Sequence, residues 1–380
     1  MNFFEPDKLK IGILGGGQLG RMILQAAANY NLFIKILDPD ENAPCKHIAN
    51  EFKKGKLTDF DTVYKFGKDC DVITIEIEHV NIEALKKLEK EGKKVFPQPH
   101  ILEMIQDKGN QKMFYQRNDI PSPDFFLVEN KSQINKFNDY FPFFQKLRTG
   151  GYDGKGVVKL SDPNDLSKAF DAPSVLERLV DFEKEISVII ARNESGETKC
   201  FPVVECAFSE EANLVEFLFS PAILKKTQEK EAYKIAELVA EKMQIVGLLA
   251  VEMFVTKDGK ILVNEVAPRP HNSGHQTIEG NVTSQFEQHL RAILNLPLGA
   301  TDITRPSVMV NMLGEKGFEG DAKYQGINEV LKWDGVHVHM YGKKTTKSFR
   351  KMGHVTVTAN TLEEAVKYAK KVKDTLKVVA

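Results

Sequence analysis

The chain has 380 residues, of which 42% are hydrophobic and 28% are charged, and its formal net charge is −1 at neutral pH. This length is too great for one compact core and predicts two or three domains, while the balanced charge does not favour a nucleic-acid or anionic-membrane partner. No apolar run reaches the roughly 18 residues needed to span a bilayer, and the four cysteines lack CxxC spacing, which predicts free thiols in a cytoplasmic protein.

The amino-terminal residues predict a doubly wound α/β unit that opens on a glycine-rich turn. A strand over 10–14 is followed by Gly15-Gly-Gly-Gln-Leu-Gly20 and a helix, and the first, third and sixth residues of this turn have the spacing of a dinucleotide-binding fingerprint. A second strand over 33–37 ends at Asp38, where an acidic residue would hold a cofactor ribose. An NAD-dependent oxidoreductase is therefore one hypothesis, although glycine turns also serve plain strand-to-helix packing.

A third strand, over 71–77, ends in the polar residues Glu76 and His79. Ligands of open α/β sheets bind beyond the carboxyl ends of the strands, so both side chains are candidate site residues. A solvated strand end is an equally good interpretation of the same residues. A helix over 81–91 and a strand at 95–96 complete the unit near residue 100.

The next stretch predicts a helix over 101–117 that carries Lys108, and a strand that carries Lys146. The loop Thr149-Gly-Gly-Tyr-Asp-Gly-Lys-Gly156 follows, and its four glycines, lysine and tyrosine would allow it to fold over phosphates. It is not a P-loop, because no GK[ST] sequence leads into a helix. Since residues 157–159 continue as a strand, the loop is also a β-hairpin turn, and a flexible hairpin can still clamp a nucleotide.

Two acidic strands and a helix come next. The first strand covers 174–180 and contains Glu177. The second strand covers 186–191 and comes directly after Glu185. An amphipathic helix over 229–242 then leads into the stretch from Leu249 to Glu265.

That stretch predicts a β-hairpin with Asp258-Gly259 as its turn. Counting outward from a two-residue or a four-residue loop places Glu252 directly opposite Glu265, with Cβ atoms roughly 5 Å apart, where like charges repel. Either the face is wet, or one carboxylate is protonated, or a cation lies between the two. Mg²⁺ suits such oxygens when substrate phosphates complete its ligands. Asn264 points to the other face of a regular strand, so without a bulge we expect it to face away.

The tail Ala267-Pro-Arg-Pro-His-Asn-Ser-Gly-His275 is held extended by two prolines and presents polar groups beyond the hairpin. After a helix over 284–293, strands over 307–313, 333–341 and 354–358 and a final helix predict a small β-rich carboxyl-terminal unit. The histidines at 337 and 339 share a strand face, which is more typical of packing than of a metal site.

Taken in order, the lysines, the glycine loop, the acidic strands and the glutamate pair resemble the ATP-grasp family. The sequences GGYDGKG and NE-x-APRPHNSGH are similar to those of N5-carboxyaminoimidazole ribonucleotide synthetases, and the resemblance extends from GGGQLGRM to Arg350-Lys-Met-Gly-His354. It implies an α/β (α+β) ATP-grasp fold. The implied domains are a Rossmann-like domain over 1–100, an ATP-grasp domain over 101–300 with a mobile lid over about 118–180, and a small β-rich domain over 301–380.

The resemblance also implies a reaction in which ATP, bicarbonate and 5-aminoimidazole ribonucleotide give the N5-carboxylated nucleotide, ADP and phosphate through carboxyphosphate. One or two Mg²⁺ ions would be held by Glu252 and Glu265, and the protein would be a cytoplasmic homodimer with no nucleic-acid or membrane partner. By this likeness, the residues that would contact ATP are Lys108, Lys146, Gly151, Tyr152, Asp153, Gly154, Gly156, Glu177, Arg178, Leu179, Val180, Glu185 and Asn264.

The same likeness assigns two further groups of residues. Those that would contact the ribonucleotide are Gln18, Glu76, His79, Tyr152, Asp153, Lys155, Arg269, Lys343 and Arg350. Those that would surround the reacting groups are Arg269, His271, Asn272, Lys155 and Asp153.

Three alternatives stay open. Another ATP-grasp enzyme, such as formate-dependent glycinamide ribonucleotide transformylase or a biotin carboxylase, would share the ATP site but not the APRPHNSGH tail. An NAD-linked oxidoreductase would be stabilised by NAD and not by Mg·ATP. A nucleotide-binding regulator without turnover would not need the glutamate pair.

Overall fold

The amino-terminal part is a parallel sheet flanked by helices, in a computed structural model that describes residues 4–151, 156–208 and 214–380. Its strands, β1 to β5, lie in the order β3-β2-β1-β4-β5. Chain order reverses at β1, as in doubly wound sheets, so the segments that follow β1 and β4 meet at one edge. The elements are β1 (Lys10–Leu14), α1 (Gln18–Ala28), β2 (Phe33–Asp38), β3 (Glu51–Lys54), α2 (Phe60–Lys68), β4 (Val72–Ile75), α3 (Ile82–Lys90) and β5 (Lys94–Val95).

The single helix predicted over 101–117 is wrong, because α4 (Pro99–Gln106) and α5 (Lys108–Arg117) are separate helices. Asp107 divides them: its side chain accepts hydrogen bonds from two amides of the first turn of α5, which is the typical role of an N-cap residue. The same carboxylate accepts from Arg148 Nε at 3.0 Å and Nη2 at 2.7 Å. The break therefore fixes the position of Lys108 as the first residue of α5.

A small antiparallel sheet follows, in the order β6-β9-β7-β8. Its strands are β6 (Phe125–Val128), β7 (Phe143–Leu147), β8 (Val157–Leu160) and β9 (Ser174–Arg178). Strands β7 and β8 pair with each other, which confirms the predicted hairpin. Residues 152–155 of the glycine loop lie outside the described residues, and so do the predictions made for Tyr152, Asp153, Gly154 and Lys155.

A large antiparallel sheet forms the rest of the scaffold, in the order β15-β14-β10-β12-β13-β16-β21-β19, with β11 beside β10. Its strands are β10 (Phe182–Arg192), β11 (Thr198–Cys200), β12 (Val204–Phe208), β13 (Val215–Ser220), β14 (Gly247–Thr256), β15 (Ile261–Ala267), β16 (Ser307–Leu313), β19 (Val336–Met340) and β21 (Lys351–Thr358).

Helices cover this sheet. They are α6 (Lys226–Met243), α8 (Gln285–Ile293) and α10 (Leu362–Thr375), and short elements complete the chain at α7 (Thr277–Gly280), β17 (Gly320–Asp321), β18 (Lys323–Gln325), α9 (Ile327–Val330), β20 (Thr345–Thr346) and β22 (Lys377–Val379). Helix α6 packs on apolar side chains of β10, β14 and β15.

The parallel sheet and the two antiparallel sheets agree with the predicted α/β (α+β) fold, whereas the domain boundaries near residues 100 and 300 stay predictions. The pairing of β13 with β16 carries the large sheet across the second of these positions. The cysteines are free thiols, as expected. No helix in the described ranges is long and apolar enough to cross a membrane.

We predict that Asp107→Ala lowers the free energy of unfolding by about 2 kcal/mol, because it removes both an N-cap and a two-point ion pair. The matched control is Asn81→Ala, which removes the N-cap of α3 and should cost about 1 kcal/mol. Chemical denaturation of the two variants measures the difference. Equal losses would mean that the contact with Arg148 adds no stability.

Candidate active site

Glu252 on β14 and Glu265 on β15 face each other, as predicted. The number of residues predicted for the turn between the two strands, however, was wrong. The turn has three residues, 257–259, instead of two or four, and Gly259 adopts the left-handed backbone region at φ 87°. A three-residue turn shifts the register by one position. A bulge at Asn264 shifts it back, because the pairing moves by one residue between Met253 and Glu252.

The bulge turns Asn264 toward the site, which corrects the expectation that it faces away. Its Oδ1 accepts a hydrogen bond from Lys146 Nζ at 3.3 Å. The neighbouring Glu265 accepts from Lys108 Nζ, also at 3.3 Å. Two consecutive residues of β15 thus present oxygens on one face, which a regular strand does not allow.

The two opposed carboxylates have opposite pKa shifts. Burial, together with the charges of Glu265 and Glu185, raises the pKa of Glu252 to about 8. Burial would also raise the pKa of Glu265, but Lys108 and Lys146 outweigh it and lower that pKa. Within this pair the surroundings therefore favour the proton on Glu252 and the negative charge on Glu265, which corresponds to one of the three arrangements left open by the sequence.

Behind this pair, Glu177 lies between two lysines. Its Oε1 is 2.7 Å from Lys146 Nζ, and its Oε2 contacts Lys112 Nζ. Burial would raise the pKa of Glu177, yet the two ammonium groups lower it to about 2. Lys112 was not predicted as a site residue, although its position four residues after Lys108 places both on one helix face.

The extended segment that follows β15 adds two side chains, Arg269 and His271, to the site. Arg269 Nε lies 2.7 Å from Glu78 Oε1. Glu78 was not predicted as a site residue, although it lies in the sequence between the two predicted residues Glu76 and His79. His271 Nε2 lies 3.3 Å from Glu252 Oε1.

Ser273 orients the ring of His271. Its amide donates to His271 Nδ1 at 3.3 Å, and its hydroxyl lies 2.9 Å from the same atom and 2.8 Å from Ser187 Oγ. Burial, with Arg269 and Lys351 nearby, lowers the pKa of His271 to about 3. The imidazole is therefore neutral, and because Nδ1 accepts a hydrogen bond, the proton lies on Nε2.

The glycine-rich turn is filled by a side chain of the protein. The carboxylate of Glu76 accepts hydrogen bonds from the amides of Gly17 and Gly20, the latter at 2.6 Å, and Asp38 accepts from the amide of Gly16 at 2.6 Å. Burial raises the pKa of Glu76, while the two glycine amides lower it. These amides are the donors that a dinucleotide pyrophosphate would need, so the NAD hypothesis loses its main support.

The remaining predicted residues lie around this centre without joining it. Gln18 begins α1 beside the turn, and His79 is exposed. Asn272 begins a short 3-10 turn, and Leu179 and Val180 follow the end of β9 at Arg178.

The predicted phosphate contacts lie on the loop between β19 and β21. Lys343 Nζ donates to the carbonyl of Lys351 at 2.7 Å, and Arg350 donates to the carbonyl of Thr345 at 2.8 Å. Lys344 Nζ lies 3.2 Å from Asn42 Oδ1, which connects this loop to the edge of the amino-terminal sheet.

The oxygen groups on β14 and β15 fit a magnesium ion that shares its ligands with phosphates. Within the described residues, no group of three or more histidine, cysteine, aspartate or glutamate side chains could hold a metal alone. Glu252, Asn264 and Glu265 are hard oxygen donors, and two lysines suited to phosphate lie beside them. Mg²⁺ favours this combination of one or two carboxylates with nucleotide phosphates.

Comparison with known proteins matches the whole chain to one group of enzymes. Three family models match it: a ribonucleotide synthetase preATP-grasp domain over residues 8–106, an ATP-grasp domain over 113–286, and a phosphoribosylaminoimidazole carboxylase C-terminal domain over 307–368.

Solved structures and a curated relative agree. The N5-carboxyaminoimidazole ribonucleotide synthetase of Thermotoga maritima is 44% identical, with a TM-score of 0.91 over 98% of this chain and 99% of that one. The N5-carboxyaminoimidazole synthase of Aspergillus clavatus, in complex with ADP and 5-aminoimidazole ribonucleotide, is 31% identical, with a TM-score of 0.89 over 97% and 99%. The chloroplastic phosphoribosylaminoimidazole carboxylase of Vigna aconitifolia is 38% identical over 93% of this chain. The chain spans 64% of that plant protein, 37% of the relative from Dictyostelium discoideum and 65% of the relative from Saccharomyces cerevisiae.

We predict that Glu185 makes the stability of the ligand-free protein fall as the pH rises from about 5 to about 7. Burial and the charge of Glu265 raise the pKa of Glu185 from the ordinary 4.5 to about 7. In that window the folded chain keeps a proton that the unfolded chain has lost, so increasing pH favours unfolding.

Glu185→Gln should therefore flatten the dependence of the denaturation midpoint on pH across this window. Glu183→Gln, on the same strand but exposed, should keep the wild-type dependence. Identical slopes for wild type and Glu185→Gln would contradict the assignment.

Proposed function

Because this chain belongs to the family of N5-carboxyaminoimidazole ribonucleotide synthetases, we propose that it uses ATP to carboxylate 5-aminoimidazole ribonucleotide. The observation that carries the proposal is the convergence of Glu252, Asn264 and Glu265 with Lys108 and Lys146 at the junction of β15, α5 and β7. This set of oxygens and ammonium groups is what a magnesium nucleotide requires. ADP and the ribonucleotide, which occupy the Aspergillus clavatus relative, are the ligands we assign to this chain.

Lys108 and Lys146 would bind the ATP phosphates, and the backbone over 177–180 would contact the adenine. Glu185 would hold the ribose hydroxyls, which its partly protonated carboxyl can do both as donor and as acceptor. Glu252 and Glu265, with Asn264, would hold magnesium. When bound there, magnesium would withdraw charge from the phosphate oxygens during transfer.

The proposed reaction has two steps. A bicarbonate oxygen forms a bond to the γ-phosphorus as the bond to ADP breaks, which yields carboxyphosphate. The amine of the ribonucleotide then forms a bond to the carboxyl carbon as the bond between that carbon and the phosphate oxygen breaks, and the departing phosphate takes the proton that the amine loses. Because bicarbonate is a poor electrophile, the first step supplies the activation, and the second depends on holding the amine close to the carbon.

Arg269 and His271 are suited to bind bicarbonate and carboxyphosphate. Arg269 is held through Nε by Glu78 and through Nη1 by the carbonyl of Pro270, so its guanidinium is fixed and its remaining N–H groups can donate to a ligand. His271 presents a neutral Nε2–H, and its tautomer is set by Ser273. Both groups therefore act as preorganised hydrogen-bond donors toward developing negative charge, and His271 in this form is not a base. Asn272 would complete this group.

The ribonucleotide would lie between the amino-terminal edge and the basic loop. Gln18, Glu76 and His79 are beside the first, and Lys343 and Arg350 are on the second. The contact between Lys344 and Asn42 holds the two sides together. The loop over 150–156 would close over the phosphates and exclude water, which would otherwise hydrolyse carboxyphosphate.

We further propose that bicarbonate is the carbon source, that the protein is a cytoplasmic homodimer, and that the three domains have boundaries near residues 100 and 300. The surface between α1, α9 and β19 supports the dimer, because Leu331 and Met340 are 58% and 40% exposed there. Light scattering on the purified protein measures its mass in solution and so tests whether it is a dimer.

ADP release at fixed bicarbonate and Mg·ATP, with and without 5-aminoimidazole ribonucleotide, tests the proposed activity. We expect release to depend on the ribonucleotide and to accompany formation of the carboxylated product. Glu265→Gln serves as the inactive reference, and Glu241→Gln, on the exposed side of α6, serves as the active one. A rate of ADP release that is the same with and without the ribonucleotide would refute the assignment of the ribonucleotide as a substrate.

We predict that Lys343→Ala raises KM for the ribonucleotide by about tenfold or more, the loss expected for one charge-assisted hydrogen bond, and leaves KM for ATP nearly unchanged. Lys347→Ala is the matched control, because it removes an exposed lysine of the same loop to which we assign no ligand. Steady-state kinetics with each substrate varied in turn gives both constants. A larger increase in KM for ATP than in KM for the ribonucleotide would refute the proposal that Lys343 binds the phosphate of the ribonucleotide.

A further inference from the structure

Lys112 is a buried cation that no sequence motif explained. It lies one helical turn after Lys108 on α5, and its side chain is 4% exposed. Glu177 is its partner, and the ring centre of Tyr115 is 5.7 Å from its Nζ. The described residues offer this Nζ no other hydrogen-bond acceptor. Lys112 therefore cannot reach a ligand in the site and can act only through Glu177.

Glu177 has two cations for one carboxylate. Lys146 contacts Oε1 at 2.7 Å, and Lys112 contacts Oε2. Burial lowers the pKa of Lys112, but direct contact with the carboxylate favours its charged form. The three groups together place two ammonium groups on one carboxylate, so the cluster has one more cationic than anionic group.

An uncompensated charge is costly in a buried place, so this cluster favours an anion beside it. Lys146 is the member that faces the site: its side chain is 16% exposed, and its Nζ also contacts Asn264 at 3.3 Å. The nearby Glu265 is already paired with Lys108. The excess charge is thus available where the nucleotide phosphates are proposed to bind.

We propose that Lys112 is a positioning residue for the ATP site: by holding one oxygen of Glu177, it leaves the positive charge of Lys146 available to the phosphates. Without Lys112, both carboxylate oxygens could turn to Lys146 and form a neutral, self-contained pair. Lys146 would then be drawn away from Asn264 and the phosphates. The inference rests on the proposed function only in requiring that a nucleotide binds at Lys146.

Isothermal titration of the full chain with AMP-PNP and Mg²⁺, and separately with adenosine, tests this role. We expect Lys112→Met to weaken AMP-PNP binding by about tenfold or more, the size of one lost charge-assisted hydrogen bond. Adenosine has no phosphate, so its affinity should not change. Lys112→Arg keeps the charge and should restore most of the AMP-PNP affinity.

Lys35→Met is the matched control, because Lys35 is also 4% exposed and paired with a carboxylate, Asp69, but lies in the amino-terminal sheet. It should lower stability and leave both affinities unchanged. Unchanged AMP-PNP affinity in Lys112→Met, or an equal loss for adenosine, would overturn the proposal and show that Lys112 serves packing alone. If Lys112→Met does not fold, Lys112→Gln replaces it with the same expectations.

These binding measurements do not use the ribonucleotide. The Lys112 variants could change AMP-PNP affinity as expected while the wild-type protein fails to carboxylate the ribonucleotide. That result would refute the proposed function and support the inference. The converse result would refute the inference alone.

Discussion

The opposition of two carboxylates, Glu252 and Glu265, is the constraint on which the site depends. Like charges on facing strand positions repel, and the protein limits the repulsion from both sides. Burial favours the protonated form of Glu252, while Lys108 and Lys146 favour the ionised form of Glu265. The same lysines are suited to nucleotide phosphates. A magnesium nucleotide would therefore bring a cation for the carboxylates and anions for the lysines, so that each set of charges gains a partner when the ligand binds.

The scaffold positions these groups through local irregularities in otherwise regular elements. The bulge at Asn264 turns two successive oxygens to one face, and the break at Asp107 places Lys108 at the start of a helix. On the amino-terminal sheet, Glu76 occupies the amides of a glycine turn that would otherwise bind a phosphate. A dinucleotide-binding fingerprint is thus used here for internal packing, which shows why the glycine spacing alone does not establish a cofactor.

Hydrophobic patterns, which are local, were sufficient to predict most of the elements and the opposed glutamates, whereas the ATP-grasp architecture followed from the resemblance of the ordered motifs to a known family. The sequence was not sufficient for features that depend on distant residues. Asp107 ends a helix partly through Arg148, which lies 41 positions away. The three-residue turn is local, but the hydrogen bond that the hydroxyl of Thr256 accepts from the amide of Lys260 does not follow from the turn residues alone. The three-residue turn and the bulge at Asn264 shift the register by one residue in opposite directions. The predicted pairing of Glu252 with Glu265 was therefore right, although the predicted turn was wrong.

The most direct test of the central claim, that bicarbonate is activated by phosphoryl transfer, is the fate of its oxygen atoms. With ¹⁸O-labelled bicarbonate, ATP and 5-aminoimidazole ribonucleotide, the account predicts that one labelled oxygen appears in inorganic phosphate at each turnover. That oxygen bridges carbon and phosphorus in carboxyphosphate and leaves with the phosphate when nitrogen attacks carbon. Phosphate that contains no label, formed together with the carboxylated product, would contradict the account.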